Sequence, residues 1–179
     1  MKFRCLLAGV SAALLVTVLA GCDDADGPKR TLALADCHLP KLAQTLQCGS
    51  LDVPENRAKP QGRKLSISVV ILPANTLSPK PDPLFVLAGG PGQAASSIAD
   101  FAALLTDVRT TRDIVLVDQR GTGRSSPLEC DALKPDRNLA EALEIDPVPK
   151  ARACAAELAG KGIDVTQYTT DAFIDDLED

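Results

Sequence analysis

Two glycine-bearing stretches are the parts of this sequence best suited to chemistry. Gly89-Gly90-Pro91-Gly92 closely follows the apolar run Leu84-Phe85-Val86-Leu87. Glycine has no β-carbon, so backbone N–H groups in such a bend can approach a ligand closely. Fixed donors of this kind stabilise the charge of a tetrahedral acyl intermediate, and losing one typically costs about 2.7–4 kcal/mol. The same bend can cradle phosphate instead, although its spacing is neither G-x-G-x-x-G nor G-x-x-x-x-G-K-[ST]. A turn with no ligand is the third reading, and this tetrapeptide alone leaves all three open. The second stretch, Asp118-Gln119-Arg120-Gly121-Thr122-Gly123-Arg124-Ser125, follows the apolar run Ile114-Val115-Leu116-Val117 in the same manner.

These residues need elements to position them. The unbroken apolar character of 84–87 and 114–117 predicts strands buried on both faces. Between them Ile98, Phe101, Leu104 and Leu105 recur at helical spacing, predicting a helix over 98–108 with Ser96 or Ser97 as N-cap. Strand, turn, helix, strand is a βαβ unit, and parallel crossovers imply an α/β class with a mainly parallel sheet and flanking helices. Both bends then lie at carboxyl ends of parallel strands, where α/β proteins place their sites. Lys64–Leu72 begins with period-two alternation and reads as a strand, and Leu51–Asn56 reads as a short strand entering a turn. Pro149 opens a helix reaching Leu158, closed by Gly160 and Gly162. Thr170 caps a last helix with Phe173, Ile174 and Leu177 on one face. Asp175, Asp176, Glu178 and Asp179 crowd the negative end of that helix, where Lys or Arg is expected. Their presence predicts a helix that continues in a longer parent.

The chain has 179 residues, which limits it to one domain. Its densest apolar stretch lies at the start, where Lys2 and Arg4 precede an apolar run ending at Leu19. That pattern matches a secretory signal and is too short to span about 30 Å of hydrocarbon. Leu19-Ala20-Gly21-Cys22 resembles the lipobox of bacterial lipoproteins, implying a signal peptide over 1–21 and a lipid on Cys22. A polar tether over 22–36 and a folded domain over 37–179 follow from it. The expected place is a membrane, facing the periplasm, and Asp23 favours the inner membrane under the enteric sorting rule. Removing Lys2 and Arg4 with the signal takes the formal charge from -5 to -7, which disfavours nucleic-acid partners. Aromatics at 3% with no Trp leave little for stacking bases. Setting aside Cys5 and Cys22 leaves four cysteines, which allow three pairings. The sequence-local set, Cys37–Cys48 and Cys130–Cys154, is favoured because each bridge closes a short loop. With no C-x-x-C and His38 the sole histidine, zinc is disfavoured; no metal or other cofactor is expected.

Taken together, Ala88–Gly92 and Asp118–Ser125 resemble the HGGPG and DQRGxGxS pair of the prolyl iminopeptidase branch of the α/β-hydrolases. The closer likeness is to its secreted, tripeptidyl-aminopeptidase-like subgroup, through Val53-Pro54-Glu55-Asn56, Asp82-Pro83-Leu84, Arg112-Asp113 and Tyr168-Thr169-Thr170. It runs from about Cys37 to Asp179. The resemblance implies the N-terminal part of an α/β-hydrolase fold acting on peptide N-termini. Gly89 and Gly90 fall in its oxyanion turn, shaped by Ala88, Pro91 and Gly92; Ala88 stands where many iminopeptidases carry His. Asp118, Gln119, Arg120 and Gly121 fall in a supporting motif, with Arg120 a guanidinium fork and Asp118 its partner. The reaction of such enzymes needs Ser, Asp and His in that chain order, with the Ser in a Gly-x-Ser-x-Gly elbow. No such elbow occurs here: Gly123-Arg124-Ser125-Ser126-Pro127 lacks the second glycine, and His38 precedes every predicted sheet strand. The expectation is the front part of a secreted serine aminopeptidase, inactive by itself. A non-enzymatic lipoprotein binding module and an esterase parent stay open, because a fold does not fix a substrate. The oligomeric state and the residues that would bind a substrate amine are likewise open.

Overall fold

Leu65, Ile67, Val69, Val70 and Leu72 make Lys64–Leu72 the strand on which the sheet is built, since all five are buried. The computed structural model describes residues 32–90, 92–134 and 148–179, which form one compact unit. The expected signal peptide, Cys22, Asp23 and Pro91 lie outside the described residues. Five strands make one sheet: β1 (Ala35–Cys37), β2 (Leu46–Pro54), β3 (Lys64–Leu72), β4 (Leu84–Val86) and β5 (Ile114–Val117). Their spatial order is β1-β2-β3-β5-β4.

The expected mainly parallel α/β-hydrolase sheet is not what the chain builds. β1–β2, β2–β3 and β3–β5 are antiparallel, and only β4–β5 is parallel. The sheet is therefore mixed and mostly antiparallel, with few helices. The error has a physical source. The expectation reads an unbroken apolar run as burial of both strand faces. That holds for β5, flanked by β3 and β4 and covered on both sides, but not for the edge strand β4, where Phe85 and the following Leu87 are about half exposed. Burial carries no information about direction. The one parallel pair is the predicted βαβ crossover, where Leu84 faces Ile114 and Val86 faces Leu116.

Alternation along β5 divides the core. Ile114 and Leu116 pack with Leu46, Val70, Leu72, Ala95, Ala99 and Ala102 on one face. Val115 and Val117 pack with Val53, Leu65, Ile67 and Phe173 on the other. Each fully buried Leu or Ile contributes about 1.5–3 kcal/mol of transfer free energy. A short 3-10 turn (Ala95–Ile98), α1 (Ala99–Ala103) and α2 (Thr106–Arg109) cover the first face. The predicted single helix over 98–108 is thus broken, with three-residue closures Leu104 N to Phe101 O and Leu105 N to Ala102 O ending α1 early. α3 (Val148–Gly160) packs against a 3-10 turn at Asp131–Leu133, and a further 3-10 turn spans Val165–Gln167. α4 (Thr170–Glu178) covers the second face. Thr169, one residue before the predicted cap, accepts the Ala172 N–H at 3.2 Å. Its inner face carries Phe173 and Asp176, while the predicted Ile174 is half exposed. No helix among the described residues is long and apolar enough to cross a membrane.

Both predicted disulfides are present. Cys37–Cys48 joins β1 to β2 with the α-carbons 5.8 Å apart, and Cys130–Cys154 joins the Asp131–Leu133 turn to α3 at 5.4 Å. Each closes a short loop, which in the chain-entropy account contributes roughly 3 kcal/mol. Replacing Cys130 and Cys154 together by Ser is expected to lower unfolding free energy by roughly 2–4 kcal/mol in urea titrations. An unchanged midpoint would show that the bridge is dispensable.

Candidate functional site

The parallel β4–β5 pair brings both glycine bends to one rim of the sheet. Residues 88–92 leave β4 and residues 118–125 leave β5 at the same end. A buried carboxylate then ties the second bend to the 3-10 turn that follows the first. Asp118 is only 1% exposed; its Oδ1 accepts the Ser96 N–H at 2.7 Å. Its Oδ2 accepts the Ser96 hydroxyl at 2.8 Å and the Arg124 N–H at 3.1 Å. So the start of the 3-10 turn is capped by Asp118 from the neighbouring loop, and neither Ser96 nor Ser97 serves as N-cap. Close backbone approach completes the join. Gly123 has φ +50, and a β-carbon there would fall 2.5 Å from Ala94 Cβ and would collide with Asp118 Oδ2.

The bend after β4 is open. Ala88 is half-buried against the core, whereas Gly89, Gly90 and Gly92 are exposed. Gly90 (φ +68) and Gly92 (φ +94) adopt left-handed backbone, which accounts for glycine at both positions. A β-carbon on Gly89 would meet nothing within 4 Å. Among the described residues, the N–H groups of Gly89 and Gly90 enter no hydrogen bond. Two backbone donors at the sheet rim are thereby left without a protein acceptor among the described residues. Facing water they are worth less than they would be in a covered, low-dielectric site.

Arg120 is the fork expected, but its partner is not Asp118. Its guanidinium is fully buried and pairs bidentately with Asp176 of α4, Nε to Oδ2 at 2.7 Å and Nη2 to Oδ1 at 2.6 Å. Nη1 donates to Glu55 O at 3.0 Å and Gln167 O at 2.8 Å. Asp118 leaves the rim pointing toward Ser96, on the side away from this cluster. The acids of α4 are answered from outside the helix as well. Arg57 donates through Nη2 to Asp176 Oδ1 and Asp179 Oδ2, both at 2.9 Å. Burial works against its charge, yet these hydrogen bonds hold the Arg57 guanidinium above its usual range. A cation from a distant turn thus does what sequence reasoning sought within the helix.

The remaining motif residues hold the loop. Gln119 O accepts both the N–H and the hydroxyl of Thr122, and Gly121 (φ +83) exchanges hydrogen bonds with Ser125 O and the Leu128 N–H. A β-carbon on Gly121 would fall 2.8 Å from the Tyr168 ring. Ser125 and Ser126 are roles that sequence reasoning missed. β3 runs on past the last β5 pair, and the loop satisfies its free groups: Ser68 N–H donates to Ser125 Oγ at 2.8 Å and Ser66 N–H to Ser126 Oγ at 3.0 Å. Ser125 is fully buried, so it is a fastening and not a nucleophile. Nothing in the sequence signals this, since the need arises only where β5 stops. His38 is exposed and lies outside this chemistry; it follows β1 directly, so it does not precede every strand as expected. Among the described residues no group of three or more His, Cys, Asp or Glu could hold a metal ion.

No family model matches the chain. It is similar to a tripeptidyl aminopeptidase of Streptomyces lividans and to one of Streptomyces coelicolor. Each is 32% identical over 124 residues, covering 66% of this chain and 22% of the relative. The chain therefore spans about a fifth of the length of the curated relatives it matches. At this identity the matches support a relation to peptidases.

Tyr168 reports on the integrity of the loop cluster. Burial, then a hydrogen bond to Glu55 Oε1 at 3.0 Å, raises its phenol from 10.0 to about 12. It is the only Tyr and there is no Trp, so phenolate absorbance reads it cleanly. The folded value exceeds the unfolded one, so its contribution to stability is full below pH 10.0 and is lost as pH rises through about 12. Alkaline titration is expected to show one transition well above the ordinary range, moving down in Glu55→Gln. A transition at the ordinary value would show that Tyr168 is not held against Glu55.

Proposed function

We propose that this chain supplies the oxyanion-binding part of a secreted serine peptidase that removes residues or short peptides from peptide N-termini. The observation that carries the proposal is that both glycine bends leave the same rim of the sheet, where Asp118 of the second is fastened to Ser96, in the turn that follows the first. Around it, the residues that resemble such peptidases converge instead of scattering. Of them Glu55, Arg120 and Tyr168 meet in one cluster, completed by Gln167 and by the buried Asp176 of α4. The matched tripeptidyl aminopeptidases point to peptides as the class of substrate.

In this reading Gly89 and Gly90 donate N–H groups to the developing oxyanion, while Ala88, Pro91 and Gly92 fix their direction. Asp118, Gln119, Arg120 and Gly121 position that bend and touch no substrate. The attacking hydroxyl, its base and the orienting acid come from outside these 179 residues, which contain no Gly-x-Ser-x-Gly. Positioned donors with no nucleophile give no turnover. The 179-residue polypeptide is expected to leave Pro- and Ala-anilides uncleaved, and in-frame coding sequence for a Gly-x-Ser-x-Gly elbow is expected beyond the Asp179 codon. Turnover by the isolated chain that a serine-directed phosphonate abolishes would overturn this reading.

We further propose export and lipidation at Cys22, supported by the short basic and apolar lead-in and by two disulfides suited to an oxidising compartment. Cells expressing the chain are expected to incorporate labelled palmitate into it, and Cys22→Ala to lose the label. Labelling that survives the substitution would remove the anchor from this account.

A further inference from the structure

A cavity of about 260 Å³ lies beside the start of α1, a few residues along the chain from the glycine bend. Leu39, Lys41, Ser96, Ser97, Asp100 and Arg124 are among the residues that line it. Two of its features are unusual. Lys41 has φ +69 in a turn closed by Leu42 N to Leu39 O at 3.2 Å, with Pro40 before it. Glycine or asparagine normally occupies the third position of such a turn, so a lysine is held there against its backbone preference. Arg124 is exposed, and its backbone is locked by the Asp118 carboxylate directly after the close approach at Gly123. Among the described residues neither Lys41 nor Arg124 has an ion-pair partner for its side chain. Asp100 accepts the Phe101 N–H and leaves the lining with a net positive charge.

Two cations whose backbones are held at the mouth of one polar cavity can receive a carboxylate, which a guanidinium grips in a planar fork and an ammonium as a point charge. We propose that this cavity is an anion subsite that takes the C-terminal carboxylate of a short peptide while its other end reaches the glycine bend. The proposal rests on the peptide reading above and narrows it to short free peptides, in preference to the N-termini of large proteins.

The test is an NMR titration of the ¹⁵N-labelled full chain with acetate, with tetra-alanine, and with tetra-alanine amide. Acetate and tetra-alanine are expected to shift the Lys41, Ser96, Ser97 and Arg124 amides saturably. Amidation of the peptide, Arg124→Gln and Lys41→Gln are each expected to weaken peptide binding roughly tenfold. Both side chains face solvent, so the two variants should keep the dispersed spectrum of the folded chain. Equal binding of free and amidated peptide overturns the subsite while leaving the peptide reading standing. Acetate shifts without binding of either peptide overturn the peptide assignment itself.

Discussion

One buried carboxylate sets the relation between the two glycine bends. Asp118 leaves the end of β5, and its two oxygens collect three donors, two from Ser96 and one from the Arg124 backbone. Hydrogen bonds to a charged group contribute about 1.5–3 kcal/mol each, and an unsatisfied buried carboxylate would cost more than that. The segment after the β4 bend therefore cannot drift from the β5 loop without stranding a charge. Gly123 makes the approach possible, because any side chain there would drive Ala94 and Asp118 apart.

A second buried charge works at the back of the same loop. Arg120 makes four hydrogen bonds, two to Asp176 and one each to the Glu55 and Gln167 carbonyls. A buried ion pair is weak ground for claiming net stability, since desolvation can exceed the attraction. What this one does is geometric. It fixes α4, the turn after β2 and the Val165–Gln167 turn to one atom group, and Arg57 extends the network to the last turn of α4. Asp118 thus holds the Ala95–Ile98 turn and Arg120 holds α4, so one short motif serves both sides of the rim.

Local features were legible in the sequence: β3, β5, the β4–β5 crossover, α3 with its Gly162 exit, and both disulfides follow from alternation, glycine placement or loop length. Strand direction was not legible. β2 has no apolar run like that of Ile114–Val117; its nine residues mix Gly49, Ser50 and Asp52 with buried Leu46 and Val53, so most of its length went unread. Side-chain pairing across long separations was equally hidden. Asp118 and Arg120 are two residues apart and look like natural partners, yet they point to opposite sides of the rim, and their real partners are 22 and 56 residues away. The serines at 125 and 126 gain their roles from the end of a strand that no local pattern marks.

The position of Asp176 carries one more consequence. Arg57 must wait 119 residues, and Arg120 must wait 56, before the acid that neutralises them has been made. A chain emerging from the ribosome therefore carries Arg57 without this acid while β3 and β5 are made, and Arg120 likewise from the end of β5 until α4 appears. The antiparallel strands can collapse early, but the loop bearing Asp118 and Gly123 lacks its anchor at the back until α4 docks. Distant contacts of this kind slow folding, because ordering the intervening chain precedes the reward. Vectorial synthesis thus leaves the rim among the last parts of the molecule to set.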